Sequence, residues 1–189
     1  MSWCSYPSEP RRRDRDVLGI TWKMEEVCSV PVIEIETRIH ASIETVFDLA
    51  RSIDLHVQST AQTNEKAVAG CTTGLISLGE SVTWEATHFG VKQRLATKIV
   101  QFDRPRHFRD SMVSGAFKRF DHDHHFESDA GQTLMKDTFD YTSPFGIFGR
   151  IADFMFLNRY MTKLLRTRNS LIKSVAESGK AWWLGDING

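Results

Sequence analysis

A chain of 189 residues, 41% of them hydrophobic, has enough apolar material for one domain with a substantial core, flanked by tails. Lysine plus arginine number 24 and aspartate plus glutamate number 24, so no overall basic field marks a nucleic-acid binder. Cys4, Cys28 and Cys71 are scattered without metal-ligand spacing and no run has the apolar length of a membrane span, which argues against a disulfide scaffold, a zinc centre or stable membrane insertion and for a reducing cytoplasm.

Residues 1–30 read as a polar, disordered arm of serine, proline and a mixed cluster, Arg11–Arg13 with Asp14 and Asp16. No apolar stretch follows the arginines, as a secretory signal requires, and Met24 is an alternative start. The domain is expected over 31–177. Val32–Ile39 alternates Ile33, Ile35, Thr37 and Ile39 against Glu34, Glu36 and Arg38, the pattern of a half-buried strand. Ser42 precedes Ile43 with Glu44 and Thr45 in the first turn, a helix start, and a second short helix is expected over Ile53–Ser59.

From Glu65 only strands are expected: Lys66–Ala69, Glu80–His88, a Phe89-Gly90 turn, Val91–Phe102, a turn at Asp103–Arg106, and His107–Val113. On the last of these, Phe108, Asp110 and Met112 are placed inward, because the opposite set is far more polar. Phe120–Tyr141 then reads as a hairpin. Phe120, His122, His124 and Phe126 share one face of its first arm, and Thr133, Met135, Asp137, Phe139 and Tyr141 one face of its second. Burying the aromatic faces carries two histidines and an aspartate inward, where they need partners. A two-residue turn at Ala130-Gly131 sets His124 opposite Asp137, and a four-residue loop sets His122 there instead. A break at Thr142–Gly146 leads to a long helix over about Phe148–Ala176, then a tail, 178–189, with Trp182 and Trp183.

A long curved antiparallel sheet cannot bury its concave face alone, so the terminal helix must lie across it, leaving a hollow wherever the two do not touch. The order of elements, with Arg104–Asp110, Gly115–Phe117, the Phe-x-His-x-His-x-Phe run at 120–126, Met135–Asp137 and Tyr141–Gly146, resembles the START/polyketide-cyclase (SRPBCC) superfamily of helix-grip proteins over roughly Val32–Ala176. The resemblance implies an α+β helix-grip fold: a seven-stranded antiparallel sheet, two short helices and a long C-terminal helix over a deep apolar cavity. It implies no fixed catalytic set.

The residues admit several readings. His122, His124, Asp110 and Asp137 form either a satisfied buried network that sets strand register or the polar end of a ligand pocket; acid–base chemistry at a carbonyl-activated carbon and a shared metal ion are the other two. The expectation adopted is a small apolar or amphipathic molecule as partner, with no cofactor and no resident metal. Trp84, Phe108, Met112, Phe120, Phe126, Met135, Phe139 and Tyr141 are its walls, and Met155, Met161 and Leu165 close it. A cyclase- or dehydratase-like enzyme is the alternative, and an interaction module built on the apolar start of the last helix the second. His88, inward by alternation with Val82, Trp84 and Ala86, is expected in solvent near the hairpin end. Arg94 and Arg109 either meet an acidic ligand at a mouth or lie on solvated strand faces. Asn158 and Arg168 are expected at the border of the helix stripe, and Phe145 and Phe148 either hinge the cavity or serve as cap and staple.

Overall fold

The computed structural model describes residues 32–88, 90–143 and 156–179. The N-terminal arm, Phe89, Phe145, Phe148, Met155 and the tryptophan tail lie outside them.

The elements are β1 (Val32–Ile39), α1 (Ile43–Ala50), α2 (Ile53–Ser59), a 3-10 turn (Ala61–Thr63), β2 (Lys66–Gly70), β3 (Ser81–His88), β4 (Val91–Asp103), β5 (His107–Ser114), β6 (Arg119–Asp129), β7 (Gln132–Thr142) and α3 (Asn158–Glu177). The strands make one antiparallel sheet in the order β1-β7-β6-β5-β4-β3-β2. This is the α+β helix-grip arrangement that the order of elements predicts.

Local chemistry accounts for the boundaries. Ile33, Ile35 and Ile39 are buried on β1 while Glu34 and Glu36 are exposed, so one face of the strand belongs to the core. Ser42 Oγ accepts from Thr45 N at 3.3 Å to cap α1, and Ser52 Oγ accepts from Leu55 N at 3.2 Å to cap α2. The β6–β7 turn is the two-residue kind. Ala130 and Gly131 both have positive φ, 48° and 84°, the backbone that twists in step with its flanking strands. The register is therefore His124 opposite Asp137, with Phe126 opposite Met135 and Phe120 opposite Tyr141. Gly70 closes β2 at φ 76°, where a Cβ would stand 2.1 Å from the Ser81 carbonyl oxygen, so only glycine fits.

The β4–β5 ladder slips twice. Ala96 pairs Ser114 but Thr97 pairs Met112, and Ile99 pairs Asp110 but Gln101 pairs Arg109. The two residues left over, Val113 and Val100, point outward and are 63% and 43% exposed. A third slip, in β2, leaves Val68 over in the same way.

The core divides in two. One cluster gathers around Phe47 of α1, with Ile39, Phe108, Phe126, Met135 and Ile172; the other joins Ile33, Ile35, Phe120, Phe139, Tyr141 and Leu165. The helix α3 packs on β1, α1 and α2 and contributes to both. Two polar residues on its inner face are buried as well. A guanidinium nitrogen of Arg168 donates to the Ala50 carbonyl at the end of α1, and Asn169 Nδ2 donates to Thr37 Oγ1 at 3.2 Å. No helix among the described residues is long and apolar enough to cross a membrane.

Candidate functional site

Between the sheet, α2 and the first half of α3 lies a cavity of about 420 Å³. Trp84, Phe108, Phe120 and Phe139 line it from the sheet, and Met161 and Leu165 from α3. Four expected wall residues do not reach it. Phe126 and Met135 pack under α1, with the Phe126 ring 5.3 Å from that of Phe47. Tyr141 sits beneath the Phe117 ring, 5.5 Å away, and Met112 packs in the same cluster. Each faces inward as alternation requires, but helix or loop side chains cover it.

Asp110, His122 and His124 form one polar wall of the cavity, and Asp137 lies behind the imidazoles, 1% exposed. Asp137 Oδ1 is 2.6 Å from His124 Nδ1 and 3.3 Å from His122 Nε2, while Oδ2 accepts from Asn169 Nδ2 at 2.6 Å. The opposite ring nitrogens turn toward Asp110. His124 Nε2 is 3.3 Å from its Oδ1 and His122 Nδ1 is 3.8 Å away. The two imidazoles lie 3.9 Å apart, His124 stacked on Phe108 and His122 edge-on to Phe139. The group thus stands at the seam between the two apolar clusters.

The electrostatics separate the two histidines. Burial works against charge on both. For His124 the contacts with Asp110 and Asp137 outweigh it and raise its pKa, whereas for His122 burial and the neighbouring His124 charge prevail and lower it. Burial likewise opposes ionisation of Asp137 and Asp110, but the histidine contacts win and hold Asp137 well below the ordinary carboxylate value and Asp110 below it. The arrangement is a carboxylate pair around two imidazoles whose affinities for a proton are pushed in opposite directions.

A second polar group borders the same cavity and was not legible as a site in the sequence. His56 Nε2 meets Glu65 Oε1 at 3.0 Å, and its ring stacks on Trp84 at 4.1 Å. Nearby, His88 Nδ1 meets Tyr160 Oη at 2.8 Å. Contrary to the solvent position expected for it, His88 is half-buried and faces the cavity; Arg168, expected at the stripe border, is buried and lines it too. Asn158 and Arg109 do not line it. Asn158 accepts from Thr162 on the surface of α3, and Arg109 grips Asp123 with two bonds of 2.7 and 2.8 Å. Arg94 lines the cavity but is tied to Glu85 at 3.0 Å.

Burial opposes the Glu65 charge, yet the His56 hydrogen bond and the His56, His88 and Arg168 charges hold its pKa below the ordinary 4.5. A depressed carboxyl contributes stability above its unfolded value and loses it as pH falls through the folded one. Glu65→Gln should therefore cost roughly 1.5–3 kcal/mol at pH 7, the range of a hydrogen bond to a charged group. The gap from wild type should close on acidification below pH 4.5. Urea midpoints measured across that range check it, and a gap constant with pH refutes it.

No protein-family model matches this chain, and no curated protein does. Solved structures do. The protein TTHA0849 of Thermus thermophilus superposes with a TM-score of 0.61 at 20% identity, covering 77% of this chain and 99% of that one. A START superfamily protein from Mycobacterium smegmatis gives 0.59 at 12% identity, over 78% and 97%. The major latex-like protein 151 of Panax ginseng gives 0.58 at 16%, over 77% and 97%. The chain has the START-like helix-grip fold, as its element order and motifs led one to expect.

Proposed function

We propose that this protein binds a small apolar or amphipathic molecule in the cavity under α3, with a polar group of that molecule set against Asp110, His122 and His124. The observation that carries the reading is a cavity of about 420 Å³ walled by aromatic and aliphatic side chains, with these polar groups converging on one side. A ligand burying roughly 200 Å² of apolar surface gains about 5 kcal/mol, against about 1 kcal/mol net for one hydrogen bond. Shape and apolar area set the affinity, and the polar wall selects the chemistry. The helix-grip neighbours, START superfamily among them, agree with this reading at the level of fold. Asp137 acts through the imidazoles and not on the ligand, and the cytoplasm is the compartment that fits the cysteine usage.

The test is direct. Organic extraction of protein from its native host, followed by mass spectrometry, should recover a bound molecule, and an environment-sensitive apolar dye should be taken up by the emptied protein. Ala86, buried on β3 and lining the cavity, is the position at which to block it. Ala86→Trp should reduce dye uptake at least ~10-fold, because one lost CH₂-sized contact alone is worth about 0.8 kcal/mol and an indole fills far more. Equal uptake by the variant, with no extractable molecule, sinks the reading.

A second reading has one specific observation behind it. Two imidazoles 3.9 Å apart, held between two carboxylates and with proton affinities pushed in opposite directions, match the pattern of cyclase- or dehydratase-like proton transfer. It requires that His124→Asn abolish turnover of the extracted molecule while leaving its uptake intact.

A further inference from the structure

Four features of the molecule bear chemistry beyond its packing: the His56–Glu65 pair, the outer-face group His107–Asp123–His125, the exposed valines and the inner quartet. The quartet carries an inference furthest, because its distances are not those of a network closed by hydrogen bonds alone. Asp137 occupies the rear of both imidazoles, within 3.3 Å of one nitrogen on each ring. The forward nitrogens, His122 Nδ1 and His124 Nε2, stand 3.8 and 3.3 Å from Asp110 Oδ1. Hydrogen bonds of this kind centre near ~2.8 Å. Two donors on one tetrahedral metal ion, each about 2.1 Å from it, are separated by about 3.4 Å. One ligand atom from each of Asp110, His122 and His124 lies within 4.8 Å of the other two.

We propose that Asp110, His122 and His124 form a divalent transition-metal site in the cavity wall, of the class that takes zinc, cobalt(II) or iron(II). Two imidazoles and one carboxylate supply three ligands, and the remaining positions open onto the cavity, where a carbonyl, carboxylate or hydroxyl of a bound molecule can complete the shell. Asp137 is the positioning residue. A carboxylate behind a ligating histidine fixes its ring and raises its donor strength, and here one carboxylate serves two rings, itself held by Asn169. The outer-face group is the competitor, since His107, Asp123 and His125 also bring ligand atoms within 4.8 Å. There, however, the Asp123 carboxylate is engaged at both oxygens by Arg109, so a cation already occupies its lone pairs. The metal site stands on the geometry of the cluster, and uptake of an apolar ligand does not require it.

The experiment uses the full chain, stripped with a chelator and titrated with cobalt(II) alone, then with zinc in competition. One cobalt per chain with the visible bands of a low-coordinate site is expected, and zinc should displace it. Asp110→Asn, at the most exposed of the three ligands, should weaken binding at least ~10-fold, and Asp137→Asn by ~10–100-fold, the usual range for a carboxylate behind a ligating histidine. His125→Ala, on the outer face, should change nothing. Absence of the bands in the wild type, an unchanged cobalt affinity in Asp110→Asn, or loss of the bands in His125→Ala each overturns the site. Dye uptake by the same stripped protein is read in parallel, so failure of the metal site and failure of the ligand reading are told apart.

Discussion

Asp137→Asn is expected to cost the metal-free fold about 3–5 kcal/mol, the usual range when one member of a buried ion pair is removed and the other stays. The asparagine fits the space but brings no charge, and it takes from His124 one of the two carboxylates that favour its charge, with His122, Asp110 and Arg168 the other groups in reach. The raised pKa of His124 means that its contribution is fully present below the unfolded histidine value, near 6.5, and is lost as pH rises through the folded value. The variant should lose that dependence, and the His124 ring should titrate lower than in wild type. Urea midpoints at several pH values and ring proton shifts in NMR measure the two effects. A loss under about 1 kcal/mol would mean that the quartet is not ionic in the fold. Replacing all four groups by apolar residues of similar volume should be far less costly than replacing one, because no charge is then stranded.

Phe47→Ala is expected to be comparably severe, about 3–5 kcal/mol, with a fall in Tm of about 10 °C for a chain of this size. Phe47 is fully buried, and its ring meets Phe102, Phe108 and Phe126 edge-on at 5.3, 5.4 and 5.3 Å. It is the side chain that fastens α1 to three strands at once, and the Asp48 contacts to Arg51 and Arg104 at 2.8 and 2.7 Å depend on the same docking. Thermal melts followed by circular dichroism give the number; a Tm within about 3 °C of wild type would show that α1 is held by something else.

What the sequence disclosed and what it withheld have physical causes. Alternation of side chains is strict in strands, so the inward faces of β1, β6 and β7 and the inward aim of Asp110 followed from residue order alone. The hairpin register did not, because Asp129-Ala130-Gly131 suits more than one loop length; the positive φ of Ala130 settles it. Period also says which face a residue occupies and not where along that face the covering helix lies. Alternation therefore places Phe126, Met135 and Tyr141 on the face of the sheet that bears the cavity, although α1 and Phe117 roof them. His56, Glu65, His88 and Tyr160 come from four separate segments, none with a motif, and only the crossing of α2 and α3 over the sheet brings them to one wall. Arg168 was legible as a helix residue but not as a buried one. Its partner is a main-chain carbonyl left open at the end of α1, which side-chain spacing cannot reveal.

Val100 and Val113 do not line the cavity, but they lie in two of the strands that do. One surplus residue on β4 and one on β5 cancel, so the ladder enters and leaves this stretch in the same phase, and only Thr97–Ile99 and Asp110–Met112 are offset between them. Excising both valines would leave the same side chains pointing inward on a straighter pair of strands, since each surplus residue bends and coils the strand that carries it. The hollow should then grow shallower with every wall residue still in place, and a structure of the double deletion with an equally deep hollow would refute this. The shape of the hollow can thus be altered through two outward-facing valines as well as through the residues that line it.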